Sequence, residues 1–487
     1  MPRKTFDRKA VALQWRRTKI IATLGPASDS QEMIAKLVGA GVDVVRINMS
    51  HGDQATHRKT VKRVRRSAKA AGRHVAILMD LCGPKIRVGK FESGSIPLKT
   101  GSTVTVTTRS ITGKPGLIPS QYKSLHKDVK PGERILLDDG NLAMRVLEVK
   151  GTEVTCKVTE GGTLSNHKGM NLPNSKLSTT ALTDKDRADV RLAVEADVDF
   201  VALSFVRKAR DVQLLARYLK RLGSNIPIIS KIEHPDAVEN IDDILEESYG
   251  IMIARGDLGI ELPAEKVPLI QRELVQKARQ RGTPVIVATQ MLESMMTHSR
   301  PTRAEVADVA GAAMLSADAA MLSGESAAGK YPLKAVQTMD RVLREVEKHQ
   351  WQEGRFAVES ISGRARKTHF VRESMAHAAV QLTYDLEVEA IIVPTDTGTT
   401  ARIMAAHRPL PPSVGVCSDI HVCRQMALHW GVVPVHVNKA RTRNWRKVCI
   451  QIAKQCRLGE SGHDVLLVSG FHDDPARNEP VLKLLHL

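Results

Sequence analysis

Two short apolar runs in this chain end abruptly in charge. Pro227–Ser230 leads into Lys231, Ile232 and Glu233, and Gly250–Ala254 leads into Arg255, Gly256 and Asp257. A parallel strand buried on both faces reads as an unbroken apolar run. Side chains at its carboxyl end stand at the mouth of a sheet or barrel, where α/β proteins place their chemistry. One ammonium and two carboxylates would meet there. The pair Glu233 and Asp257 suits Mg²⁺ (or Mn²⁺), since such an ion takes one or two protein oxygens and keeps the rest for water and phosphate. A surface salt bridge is the commoner fate of a single glutamate. Two carboxylates at neighbouring strand ends, with Lys231 between them, favour the metal. Lys231 could form a Schiff base, donate a proton or clamp an anion. The flanking carboxylates favour its ammonium form, so the Schiff base is disfavoured. A charge clamp on a transferring phosphoryl group is the expected role.

A second cluster comprises Arg46, Asn48, Ser50, Asp80 and Arg87. Two arginines suit phosphate, and the Asn, Ser and Asp oxygens suit a hard cation. For Asn48 and Ser50 alone a hydrogen-bonded turn explains as much. The backbone at Gly256 and Asp257 is open to an approaching carboxylate, which Thr289 could hydrogen-bond or serve as a proton relay. Thr395–Thr400 links a strand to a helix and could hold phosphate at the helix start, although a plain helix cap fits equally well.

These residues need elements to position them. Strand-like runs cover Lys19–Thr23, Val44–Met49, Val75–Met79, Phe200–Leu203, Ile226–Ser230, Ile251–Ala254, Val285–Ala288 and Ala319–Leu322. Helical patterns follow several of them, as at Gln31–Val38, Arg187–Ala196, Val212–Leu222 and Leu269–Arg281. Eight strand–helix units predict a closed (β/α)₈ TIM barrel of class α/β. Polar residues gather just past each run, including Arg46 to His51, Asp80, Ser204, Lys231, Asp257, Thr289 and Ser323, and a barrel brings all eight tips to one face. One gap is anomalous, because 124 residues separate Asp80 from Ser204. Within it Thr103–Thr107 alternates with period two, as do parts of Arg134–Leu137, Ala143–Val149 and Glu153–Thr159. This predicts an inserted small β-barrel lid domain over 85–180. The catalytic barrel is expected to occupy 1–84 and 181–350. A polar stretch from Glu347 to Lys367 marks a boundary. Beyond it strands and helices alternate again, among them a helix at Cys423–Trp430, predicting a C-terminal three-layer α/β domain over 351–487.

Composition narrows the function classes. The 487 residues carry a net charge of +19, and only 3% are aromatic. Few aromatics argue against a stacking platform for single-stranded nucleic acid. The basic residues are spread out, with local runs near Arg3–Lys19, His57–Arg73 and Arg441–Lys447, so a solvated basic surface is expected and nucleic acid is not. The six cysteines lack metal or redox spacing and suggest free thiols in a reducing cytoplasm. No long apolar run points to a membrane span.

The motifs Lys19–Ser28 (KIIATLGPAS), Arg46–Gly52 (RINMSHG), Asp80–Arg87 (DLCGPKIR), Ser230–Glu233 (SKIE), Ile251–Lys266 (IMIARGDLGIELPAEK), Ala288–Met295 (ATQMLESM), Pro301–Glu305 (PTRAE) and Met321–Ala327 (MLSGESA) together resemble the pyruvate kinase family over nearly the whole chain. The resemblance implies phosphoryl transfer from phosphoenolpyruvate to ADP, giving ATP and pyruvate. It implies that Lys231 stabilises the phosphoryl group in flight and that Glu233 and Asp257 bind the divalent metal. Arg46, Gly256, Asp257 and Thr289 become phosphoenolpyruvate contacts, and Asn48, His51 and Arg87 nucleotide contacts. Thr289 and Ser323 lie near the carbon that is protonated. It also implies a homotetramer, a phosphorylated effector bound by the C-terminal domain, and a cytoplasmic location.

Two departures qualify it. Asn48, Ser50, Asp80 and the backbone of Leu81 would be K⁺ ligands, but Lys85 stands where many members have glutamate; its ammonium is expected to occupy or neutralise that site, so that K⁺ is not required. The segment Gly470–Arg477 is acidic and lacks a hydroxyl-rich loop, which speaks against activation by a sugar bisphosphate. The competing readings are another Mg²⁺-dependent enolate enzyme on a barrel, such as a phosphoenolpyruvate mutase or an aldolase, and an inert barrel with a basic binding surface.

Overall fold

A computed structural model describes residues 15–487 apart from 174, 176–177, 355, 357–369, 439–444, 457 and 459–461. The basic lead-in before residue 15, most of the polar boundary stretch and most of the Arg441–Lys447 run therefore lie outside the described residues.

Eight parallel strands close into a barrel, each paired with its sequence neighbour, and Lys19–Leu24 pairs with Ala319–Leu322 to complete the ring. The remaining strands are Val44–Asn48, Ala76–Asp80, Phe200–Leu203, Ile228–Ile232, Gly250–Ala254 and Val285–Ala288. Their apolar runs are continuous because both faces are buried. In the first strand Ile21 points into the barrel with Val44, Leu78 and Phe200, while Ile20 and Ala22 face the surrounding helices. The helices start where the sequence supplies caps. Thr183 and Thr302 each form a reciprocal capping box with the residue three positions on.

The insertion after the third strand folds as a six-stranded and a two-stranded sheet around their own apolar cluster, which includes Val106, Leu137, Met144 and Val158. Gly83 opens this insertion with φ +66, and a Cβ there would come within 2.9 Å of Ser204 Cβ. Only glycine allows the chain to leave the barrel so close to the next strand's tip. Asp186 then accepts a hydrogen bond from the Gly83 amide at 3.1 Å.

The C-terminal unit is a five-stranded sheet, parallel except for its last strand Val481–His486. Alternation along Ala390–Pro394 sends Ile391 and Val393 to one helical layer and Ala390 and Ile392 to the other. One helix departs from expectation: it spans Ile420–Met426, not Cys423–Trp430. Asp419 accepts from the His421 amide and starts the helix early. Ala427 and Leu428 then turn into the floor of the barrel and join its interior cluster. Asp318, just before the eighth strand, accepts the Val285 amide at 2.9 Å and pairs with Arg408 at 3.1 Å. Arg402 donates to the carbonyl of Gly282 at 2.7 Å. The third unit is thus bolted to the end of the barrel opposite the polar tips.

Candidate active site

The polar tips form a ring of contacts around the mouth. Thr23 donates to the carbonyl of Leu322 at 2.8 Å, linking the first and eighth strands. Arg46 donates to Thr23 at 3.1 Å and, through Nε, to Asp80 at 2.7 Å. Ser204 donates to the carbonyl of Leu81 at 2.7 Å and accepts from Lys231 at 2.8 Å. Lys231 lies 2.9 Å from Glu233 and 3.4 Å from Asp80. The Phe205 amide donates to the other Glu233 oxygen at 2.8 Å. Thr289 accepts the Gly256 amide at 2.7 Å. Glu325 accepts the amides of Leu292 and Ser323, joining the seventh strand's loop back to the eighth.

Lys231 belongs to its strand and does not follow it, because pairing continues to Ile232. Lys231 and Glu233 share a face by the two-residue period of a strand. Burial opposes the Lys231 charge, but Asp80 and Glu233 more than compensate and hold its ammonium above the ordinary lysine range. Burial likewise opposes the Asp80 charge, and Lys231 and Arg46 overcome it, so Asp80 stays below the usual carboxylate range. Glu233 goes the other way. Burial raises it, Lys231 offsets part of that, and the nearby Asp257 carboxylate adds to it.

Asp257, on the short helix Arg255–Glu261, accepts no hydrogen bond from the described residues. Glu233 with a second carboxylate beside it is a fitting seat for a dication. Among the described residues no group of three or more Asp, Glu, His or Cys side chains is arranged to hold a metal alone. A pair suits an ion whose other positions go to water and phosphate.

Other expected residues are more scattered. The Gly256 amide, read as open to a ligand, is covered by the Thr289 hydroxyl, which itself donates to the carbonyl of Ala288 at 2.6 Å. Ser323 Oγ is buried and has no partner among the described residues. Asn48 accepts the Ser50 amide at 3.1 Å, and His51 is exposed on the same turn. Arg87 lies in the lid and donates to the carbonyl of His167 at 3.0 Å. Lys85 is exposed, and its Cε lies 3.7 Å from the position a Cβ would take on Gly169 of the lid. The partners of Asp80 are Arg46, Lys231 and Ser204; Lys85 is not among its described contacts.

Several functional features had little or no sequence signal. Phe205, Thr289 and Gln290 have φ of +55, +68 and +52. Such left-handed backbone in non-glycine residues costs about 1–3 kcal/mol each and gathers at active sites. Arg255 secures this turn by donating to the carbonyls of Thr289 and Gln290 at 2.8 and 3.1 Å, while pairing with Asp308 at 3.0 Å. Ser204 was visible as a strand tip, but not its position between Lys231 and Leu81. Glu261 is buried beside the lid; burial, with Asp257 adding to it, raises its carboxyl to about 7.

No helix among the described residues is long and apolar enough to cross a membrane. Comparison with known proteins gives one consistent answer. Residues 15–336 match the family described as "Pyruvate kinase, barrel domain", and residues 373–480 match "Pyruvate kinase, alpha/beta domain". A pyruvate kinase of Geobacillus stearothermophilus is 42% identical over 461 residues, covering 93% of this chain and 78% of that protein. One from Mycobacterium tuberculosis is 41% identical over 464 residues, covering 93% and 95%. The crystal structure of a pyruvate kinase from Cryptosporidium parvum superposes with a TM-score of 0.89 at 36% identity, covering 98% of this chain and 97% of that one. With matches of this extent to both parts of the molecule, the chain belongs to the pyruvate kinase family, a family of transferases.

Proposed function

We propose that the ring at the barrel mouth transfers the phosphoryl group of phosphoenolpyruvate to ADP and then protonates the resulting enolate to pyruvate. The observation that carries this is the Lys231 ammonium, held charged at 2.8–2.9 Å from Ser204 and Glu233 in a nearly buried mouth. Phosphoryl transfer needs positioned positive charge more than covalent help from the protein. Lys231 supplies it in a fixed place, at no reorganisation cost during reaction. Arg46, locked by Asp80 and Thr23, offers its guanidinium edge to the phosphate of phosphoenolpyruvate. Gly256, Asp257 and Thr289 receive the carboxylate end, with the Thr289 hydroxyl exchanging its amide partner for substrate. Asn48, His51 and Arg87 line the route between barrel and lid and hold the nucleotide. The unpartnered Ser323 hydroxyl, with Thr289, is available to pass a proton to the enolate carbon.

Glu233 and Asp257 would hold Mg²⁺ or Mn²⁺, which when bound offsets negative charge on the phosphoryl and enolate oxygens. K⁺ is not required in this reading, because Asp80 already has two cationic partners and Lys85 adds a positive charge to the same loop. The protein works in the cytoplasm as a homotetramer, and a phosphorylated effector would act through the C-terminal unit. An ADP-dependent pyruvate assay tests the central claim. Pyruvate should form only when phosphoenolpyruvate, ADP and a divalent metal are all present. Pyruvate formation without ADP, or none with all three, overturns it.

A further inference from the structure

The helix Arg255–Glu261 touches the lid at the end away from Asp257. A Cβ on Gly140 of the lid would approach Ile260 Cγ2 to 3.6 Å. One residue on, Glu261 Oε1 accepts a hydrogen bond from Asn171 Nδ2 at 2.7 Å. Asn171 belongs to the short lid strand Met170–Asn171, which pairs with Leu136 and Leu137. The contact spans ninety residues of sequence and joins two separate apolar cores.

Glu261 is only 8% exposed, and the described residues offer its Oε2 no partner. A buried carboxylate with a single neutral donor is a costly arrangement. It lines a cavity of about 40 Å³ between lid and barrel, together with Asn171, Thr179, Phe205, His234 and Asp257. Thr179 Oγ1 and His234 Nε2 are also buried without partners among the described residues. Three such atoms around one small cavity mark a polar joint with room for about two or three ordered waters. Apolar packing would have sealed it at less cost. The arrangement makes sense if the joint must form and part as the lid moves.

We propose that Glu261 is a positioning residue whose hydrogen bond to Asn171 latches the lid to the helix bearing Asp257, so that lid seating and placement of the metal-binding carboxylate occur together. The proposal rests on reading Asp257 as a metal ligand. Glu261 follows Asp257 by four residues on the same helix, about 6 Å along its axis, so a displacement at Glu261 is carried directly to Asp257.

The test uses Glu261→Ala, Asn171→Ala, their double variant and Glu261→Gln in the full-length protein. Mn²⁺ binding is read without substrates, from the loss of the free-ion electron paramagnetic resonance signal. Hydrogen exchange of the Met170–Leu172 amides is measured alongside. Each alanine variant should weaken Mn²⁺ binding by about tenfold, the size of effect expected when the support of a metal ligand is removed. The double variant should be no weaker than the singles, because one contact is lost in each. Exchange at Met170–Leu172 should accelerate in all three. Glutamine, which keeps the acceptor, should restore both readouts. The informative variant is Asn171→Ala, whose side chain belongs to the lid. Unchanged Mn²⁺ affinity in that variant, or losses that multiply in the double, overturns the latch. Absence of Mn²⁺ binding by the parent protein would instead defeat the reading of Asp257.

Discussion

Lys231 and Glu233, two residues apart on one barrel strand, meet at 2.9 Å with both side chains nearly buried. Neither would be stable there alone. Asp80 supplies the second negative charge, and Ser204 fixes the direction of the ammonium.

Replacing Lys231 with methionine should lower kcat by about 10²–10³-fold or more, the loss seen when a preorganised electrostatic donor is removed. The KM for ADP should change far less. Steady-state kinetics by a coupled pyruvate assay checks both, and turnover within a few-fold of the parent would show that the charge is dispensable.

Activity should be insensitive to K⁺. In tetramethylammonium buffer, adding KCl at constant ionic strength should leave kcat and KM within about twofold, since K⁺ has no unbalanced anionic site to fill. Lys85→Glu should introduce a K⁺ requirement. Strong activation of the parent by KCl would rule out the charge-replacement reading.

His429 provides a pH test of stability. It accepts or donates a 2.7 Å hydrogen bond with Tyr249 at the floor of the barrel. Burial, then the charges of Arg402, Lys19 and Arg408, lower its pKa to about 3 from the ordinary 6.5. The unfolded chain therefore takes up the proton first. Stability is fully present above pH 6.5 and falls as pH drops toward 3, by up to about 1.4 kcal/mol per unit. In His429→Gln this component disappears, so its melting temperature should decline less steeply between pH 6.5 and 5. Parallel curves over that range would contradict the argument.

Asp318 should matter more to stability than its distance from the chemistry suggests. It is buried, accepts the Val285 amide and faces Arg408, whose side chain is fully covered. Asp318→Ala leaves that guanidinium without its counter-charge, a change that costs about 3–5 kcal/mol when an ion pair is fully buried. The urea midpoint of the first unfolding transition should fall clearly. A midpoint equal to that of the parent would mean that the hydrogen bonds Arg408 donates to the carbonyls of Ala405 and Ser316 suffice without the carboxylate.

The barrel was legible because burial on both faces writes each strand as an apolar run, and because charge appears only where the run meets solvent. Phe200–Leu203, Val285–Ala288 and Ala319–Leu322 were readable to the residue. The convergence of Lys231, Glu233 and Asp257 at the mouth was readable from residue type and spacing. The covering of the Gly256 amide by Thr289 was not, because it depends on a left-handed turn that no residue type announces. The Glu261–Asn171 contact was equally hidden, since no local pattern reports a pairing between residues so far apart. The helix expected to run on to Trp430 ends at Met426, because the apolar residues beyond it, Ala427 and Leu428, already belong to the barrel floor.

The joint at Asp318 has a mechanical meaning. The seventh and eighth strands are rooted in it, and their opposite ends carry Thr289 and Ser323. A twist of the C-terminal sheet, gripping through Arg402 and Arg408, acts at the base of the two staves that carry these two hydroxyls. Remote control of this catalyst would come from below, through stiff backbone, with nothing needing to enter the mouth.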